Sequence, residues 1–130
     1  MILDTSAIIA ILQNETPGDR LVLALEHAEK RRVSAATILE CSIVICARYG
    51  DAGDRELDLL VYRLALEIVP VTSDQVDLAR SAWRRFGKGR HEAALNFGDC
   101  FSYALAKSLQ QPLLFVGNDF SRTDLKIVEY

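Results

Sequence analysis

NFGDCFSYALAKSLQQPLLFVGNDF, residues 96–120, is the stretch from which the fold of this chain is read. Asp99 stands at the head of a helical pattern that continues to about Leu109, and Pro112 stops it. Residues 113–116 then form an unbroken apolar run of strand length, the mark of a strand buried on both faces in a parallel sheet. Asp119 follows that run closely. A helix feeding such a strand places Asp99 and Asp119 near one edge of a single sheet.

The upstream sequence repeats this alternation. Residues 1–3 are apolar and end at Asp4-Thr5-Ser6, after which residues 7–12 read as a buried helix. Past Pro17-Gly18, the spacing of Leu21, Ala24, Leu25 and Ala28 predicts a helix running to Lys30-Arg31-Arg32, cations suited to a helix C-terminus. Residues 33–35 are a brief strand. Thr37-x-x-Glu40 has the form of a capping box, which puts Glu40 in the first turn of an apolar helix that Gly50 closes in the left-handed conformation. Residues 54–67 are amphipathic, and 68–71 form a strand whose Pro70 limits its pairing. In the next helix, capped within 72–75, Val76, Ala79, Trp83 and Phe86 form the apolar stripe, with Arg80 and Arg84 on another face. Residues 126–129 are a last strand. The expectation is one α/β domain over residues 1–130, with a mostly parallel central sheet of about five short strands, helices on both faces, and ligands bound beyond the carboxyl ends of the strands.

Composition narrows the function classes. With 130 residues and 50% hydrophobic content, the chain can bury one core without staples. No apolar run is long enough to span a membrane, and Asp4 stands where a signal peptide would carry basic residues, so a cytoplasmic protein without membrane contact is expected. Cys41, Cys46 and Cys100 lie in apolar surroundings without a Cys-x-x-Cys pair, which reads as buried thiols rather than a zinc site. His27 and His91 have no partners in the pattern that would make them ligands.

The net charge of −3 argues against holding nucleic acid by overall charge. Arg80, Arg84, Arg85, Lys88 and Arg90 nevertheless fall in a stretch without an acid, either a local strip for nucleic-acid phosphates or a solvated helix face.

Taken singly, Asp4, Glu40, Asp99 and Asp119 are explained by caps and turns. Together, with Ser6, Gly98 and Gly117 as small neighbours, they suggest a site. Converging carboxylates repel by more than helix dipoles, about 0.3–1 kcal/mol each, can offset. Such a cluster needs protons or a cation, and an all-oxygen donor set suits magnesium or manganese.

Met-Ile-Leu-Asp-Thr-Ser at the N-terminus, the helical Glu40, Asn-Phe-Gly-Asp ending at Asp99 and Gly-Asn-Asp-Phe ending at Phe120 resemble the PIN-domain ribonucleases, specifically VapC-like toxins of toxin–antitoxin pairs. The resemblance covers nearly the whole chain. It implies a metal-dependent endoribonuclease, with Asp4, Glu40, Asp99 and Asp119 as the catalytic and metal-binding acids, Mg²⁺ as the ion and Mn²⁺ as a substitute. Ser6 and Asn96 would be polar neighbours and Asp124 an outer member. The substrate implied is RNA of the tRNA or rRNA class. A cognate antitoxin would cover the acids with a basic group and bind operator DNA through its own end, and the toxin would be a homodimer. Phe115 and Val116 depart from the pattern where many members carry Ser or Thr. The alternative within the family is a catalytically weak binding module acting in an antitoxin–DNA complex. A dehalogenase-type phosphatase would need an acid where Ser6 stands, and a receiver domain would need adjacent acids after the first strand; neither pattern is present.

Overall fold

The computed structural model describes residues 1–130, and its centre is a parallel sheet of four very short strands. In chain order these are β1 (Ile2–Leu3), β2 (Arg32–Ser34), β3 (Glu67–Val69) and β4 (Leu113–Leu114), arranged β3-β2-β1-β4. The helices are α1 (Thr5–Leu12), α2 (Gly18–Glu26), α3 (Ala35–Arg63), α4 (Ser73–Phe86) and α5 (Phe97–Leu109), and a 3₁₀ turn spans Phe120–Arg122. The expected fifth strand is reduced to one parallel bridge, Leu113 to Ile127. With β4 only two residues long, there is no edge for a longer partner to follow.

Strand alternation divides the core. Leu3 and Leu114 face one side with α1, α2 and α3, in a cluster that includes Ile8, Leu21 and Leu57. Ile2 and Leu113 face the other with α4 and α5, against Phe86, Tyr103 and Leu105. Both faces are therefore covered, as the apolar runs require, and no helix is long and apolar enough to cross a membrane.

Several local readings are revised. Helix α2 ends at Glu26, before the basic trio. Arg31 instead donates to the carbonyls of Leu25 and Leu64, each at 3.0 Å, so one guanidinium serves the C-terminal ends of two helices. Arg32 belongs to β2 and pairs with Glu67 directly opposite on β3 at 2.8 Å. Helix α3 starts earlier than the capping-box pattern implies: Ser34 is its N-cap, so Glu40 lies in the second turn and its carboxylate is not spent on a cap. Gly50, at φ 64° and ψ −152°, breaks α3 in a region open only to glycine rather than in the left-handed helical one. In α4 the buried stripe is Gln75, Ala79, Ala82 and Phe86, which keeps Ala79 and Phe86 of the predicted stripe and replaces Val76 and Trp83 by their preceding neighbours. Val76 and Trp83 are left 40% and 39% exposed beside Arg80 and Arg84. Two stripes of equal spacing compete there, and the small alanines let α4 pack closely against α5.

Candidate functional site

The carboxyl edge of the sheet gathers the predicted acids. Asp4 follows β1 directly, and its amide donates to the Leu114 carbonyl at 3.0 Å, tying it to the neighbouring strand. It caps α1 and is buried, 4% exposed. One oxygen, Oδ2, accepts from the Ser6 amide at 3.0 Å and from the Ser6 hydroxyl at 2.7 Å. The other, Oδ1, accepts from the Ser102 hydroxyl at 2.6 Å. Ser6 also receives the Val116 amide at 3.0 Å, so the small residue after Asp4 joins α1 to the end of β4.

Glu40 projects from α3 toward the same edge and accepts from the Thr5 hydroxyl. A Cβ placed on Gly98 would lie 1.9 Å from Glu40 Oε2. Only glycine at that position lets the carboxylate rest against the first turn of α5. The small residue before Asp99 makes room for the Glu40 side chain. Gly117 differs: nothing lies within 4 Å of its would-be Cβ, and its φ of +110° is the reason for glycine there.

Asp99 is the third residue of α5 and not its cap. Asn96 is the N-cap, and the two form a reciprocal capping box: the Asp99 amide donates to Asn96 Oδ1 and the Asn96 amide to Asp99 Oδ2, both at 2.9 Å. Asp119 precedes the 3₁₀ turn, is exposed, and makes no side-chain cap bond.

Electrostatics ties the four together. Burial pushes the Asp99 carboxyl up, the Asn96 amide holds it down, and the charges of Asp4, Asp119 and Glu40 push it further, to about 7. A carboxylate half protonated at neutral pH, facing three others, is a place where a cation is missing from the charge balance. No three of the His, Cys, Asp and Glu side chains are gathered closely enough to cage an ion in this conformation; Asp4, Glu40 and Asp99 each accept from a hydroxyl or amide donor. The four acids nonetheless offer only hard carboxylate oxygens, and the nearby Cys41 thiol is held protonated by burial, which is the chemistry of a Mg²⁺ or Mn²⁺ site rather than of zinc.

The remaining candidates lie elsewhere. Asp124 accepts from Tyr103 at 2.6 Å, Lys107 at 2.7 Å and Arg85 at 3.4 Å, and is not among the charges acting on Asp99. The basic strip divides: Arg85 is committed to Asp124, while Arg80, Arg84 and Lys88 border a groove between α4 and the start of α5. His27 bonds the Leu23 carbonyl within its own helix, and His91 accepts from the Ala93 amide and packs edge-on against Phe86. The three cysteines are free, and burial pushes the Cys41 thiol to about 12 and the Cys100 thiol to about 11. Ser102, Thr5 and Thr37 are the residues that sequence reasoning missed. Ser102 was within reach of it, since it lies three positions after Asp99 on one helix and hence on the same face.

A PIN-domain family model matches residues 1–126. The chain belongs to the PIN-domain family. Within the family its relatives are VapC proteins: it is 52% identical to Ribonuclease VapC30 of Mycobacterium tuberculosis over 98% of both chains. It is also 52% identical to Ribonuclease VapC of Mycolicibacterium smegmatis, over 98% of this chain and 99% of the relative. Among solved structures it resembles VapC20 of M. tuberculosis, described as a Sarcin-Ricin-loop-cleaving toxin, with a TM-score of 0.75 at 19% identity over 98% of this chain and 97% of that one. It also resembles VapBC2 of Rickettsia felis bound to a promoter DNA fragment, with a TM-score of 0.76 at 16% identity over 98% and 96%. At such identities these structures speak for the PIN fold alone.

Proposed function

We propose that this PIN-domain chain is a divalent-metal-dependent endoribonuclease toxin, with residues 1–130 as one nuclease domain, Asp4, Glu40, Asp99 and Asp119 as its catalytic acids, and an antitoxin as its inhibitor. The observation that carries the reading is Asp99, raised to about 7 among three further carboxylates at the carboxyl edge of the sheet. The ribonuclease names of relatives 52% identical over nearly the full chain support the activity. RNA of the tRNA or rRNA class, in the cytoplasm, is the substrate this reading assigns.

Asp4 and Asp99 would hold the ion directly, with Glu40 and Asp119 holding its waters or a second ion; Asp124, already committed to Lys107, Arg85 and Tyr103, is left out. When bound, magnesium, or manganese in its place, supplies positive charge to the scissile phosphate and lowers the pKa of a water available for attack. The protein's own part is positioning. Ser6 and Ser102 clamp both oxygens of Asp4, Thr5 orients Glu40, and the Asn96 amide takes one oxygen of Asp99, leaving the other without a protein donor. Asp99 must give up its proton for the site to load, so loading should improve as pH rises toward 7 and beyond.

Antitoxin capture is supported by the solved complexes of this fold and by Leu39 and Ile43, 61% and 62% exposed on the same helix as Glu40. A partner segment lying on them would bring a basic side chain over the acids, and its own DNA-binding end would carry the operator contact. A homodimer completes the reading and is tested by light scattering. The deciding experiment is cleavage of total RNA with Mg²⁺ by wild type and by Asp99→Asn of matching circular dichroism. Loss of cleavage in the variant is expected; undiminished cleavage would overturn the assignment.

A further inference from the structure

The groove beside the acid edge has a composition that charge placement alone does not explain. About 640 Å³ in volume, it is walled by Val76, Trp83, Phe97, Cys100 and Phe101, with Asn96 at its end. Phe97 is 80% exposed and meets Phe101 edge-on, ring centres 5.0 Å apart. An apolar residue so exposed at the first position of a helix contributes little to the core, which makes it a surface for something else. Arg80, Arg84 and Lys88 stand at the rim. Only Arg80 has an acid near it, Asp77 at 3.9 Å, a contact too long and too exposed to neutralise it. Three cations are thus presented around aromatic rings, in a chain whose net charge is −3.

Flat rings flanked by free cations are the chemistry that receives single-stranded nucleic acid, bases stacking on the rings while phosphates meet the cations. The position fits as well. Asn96, at the end of the groove, donates its amide to Asp99, so a strand lying in the groove leads directly to the acids.

We infer that the α4–α5 groove is a base-stacking subsite of the nuclease, in which Trp83, Phe97 and Phe101 hold unpaired RNA bases next to the scissile phosphate while Arg80, Arg84 and Lys88 hold the backbone. The inference rests on the ribonuclease reading above and adds to it the residues that grip unpaired bases beside the acids. Cys100 at the groove floor is buried, 6% exposed, and supplies only apolar contact.

Trp83 is the one tryptophan of the chain, so its emission reports on the groove alone. The probe is a single-stranded oligoribonucleotide of about 10 nucleotides, within the span such grooves cover, added in EDTA so that it binds without being cut. Its binding is followed both by Trp83 emission and by anisotropy of a labelled copy. Quenching of Trp83 on saturation is expected. Phe97→Ala, at a surface position and checked for an unchanged melting curve, should weaken RNA binding roughly 5- to 100-fold. In Mg²⁺ it should raise KM for RNA while leaving kcat within about 2-fold, a split that uniform binding predicts. Arg84→Ala should lower the slope of log affinity against log salt by about 1.

RNA that binds by anisotropy without quenching Trp83, with Phe97→Ala binding as wild type, would overturn the subsite and leave the nuclease standing, provided Asp99→Asn still abolishes cleavage. Trp83 emission that shifts with protein concentration and not with RNA would also overturn it, assigning the face to a second copy of the chain. Absence of metal-dependent cleavage from wild type would remove the nuclease reading itself.

Discussion

Asp99 and Asp124 flank the same helix and meet opposite fates. Asp99, in the first turn of α5, is raised to about 7, by burial first and then by three neighbouring carboxylates, against the pull of the Asn96 amide. For Asp124, burial also raises the pKa, but it is outweighed by hydrogen bonds from Lys107 and Tyr103 and the charges of Lys107 and Arg85, and the carboxyl settles at about 2. The fold supplies Asp124 with cations and Asp99 with none. One aspartate is thus neutralised internally and contributes to holding α5, α4 and the C-terminal segment together, while the other is left waiting for a charge from outside. That contrast, more than burial, is the reason for proposing Asp99 and not Asp124 as a member of the site.

The largest expected effect that breaks the contrast is Asp99→Asn. Cleavage should fall by about two orders of magnitude or more, the scale on which removal of one electrostatic group at a reacting centre is felt. Its effect on stability should have the opposite sign. Because the folded pKa of Asp99 is raised, the folded chain holds a proton between about 3.8 and 7 that the unfolded chain releases. Stability therefore declines as pH rises through that window, and the penalty is complete above it. In metal-free buffer at pH 8, Asp99→Asn should melt above wild type, by on the order of 1–2 kcal/mol once partial solvation is discounted. A variant that melts below wild type at pH 8 would show that the acid cluster is not strained.

Gly98→Ala comes next. Its Cβ would push aside the end of the flexible Glu40 side chain, so metal affinity measured by calorimetry should drop about 10- to 100-fold while the melting temperature changes little. Added Mg²⁺ should sharpen the comparison at the acid end alone: it should raise the melting temperature of wild type at pH 7.5, and raise that of Asp99→Asn much less.

Asp124→Ala should do least. It removes an exposed ion pair and the acceptor of the buried Tyr103 hydroxyl, for a loss of about 1 kcal/mol at neutral pH with cleavage unchanged. Since the Asp124 pKa is depressed, its contribution is present above about 3.8 and disappears as pH falls through about 2, so the wild-type and variant melting curves should converge there.

Much of this was readable from the chain. The apolar runs before Asp4 and after Pro112 announced buried parallel strands, and the acids near the strand ends followed from the rule that such sheets bind at their carboxyl edge. Less legible were boundaries and faces. Glu40 resembled a capping-box residue because Thr37 stands three positions before it, yet Ser34 does the capping. In α4 the predicted Ala79 and Phe86 are buried, but Gln75 and Ala82 take the places of Val76 and Trp83, because packing against α5 favours the small Ala82 over Trp83. The final strand shrank to a bridge because β4 is too short to template it.

Residue types and their order determined the family and the α/β layering and singled out the four acids proposed for the site, since periodicity and short motifs are local properties that the chain carries in any conformation. Folding alone decided which acids find cations and which do not, where Ser102 and Thr5 place their hydroxyls, that Gly98 makes room for the Glu40 carboxylate, and that Trp83 and Phe97 are partly or largely exposed beside the site. Those are relations between residues distant in sequence, and their energies exist only once the helices have packed on the sheet.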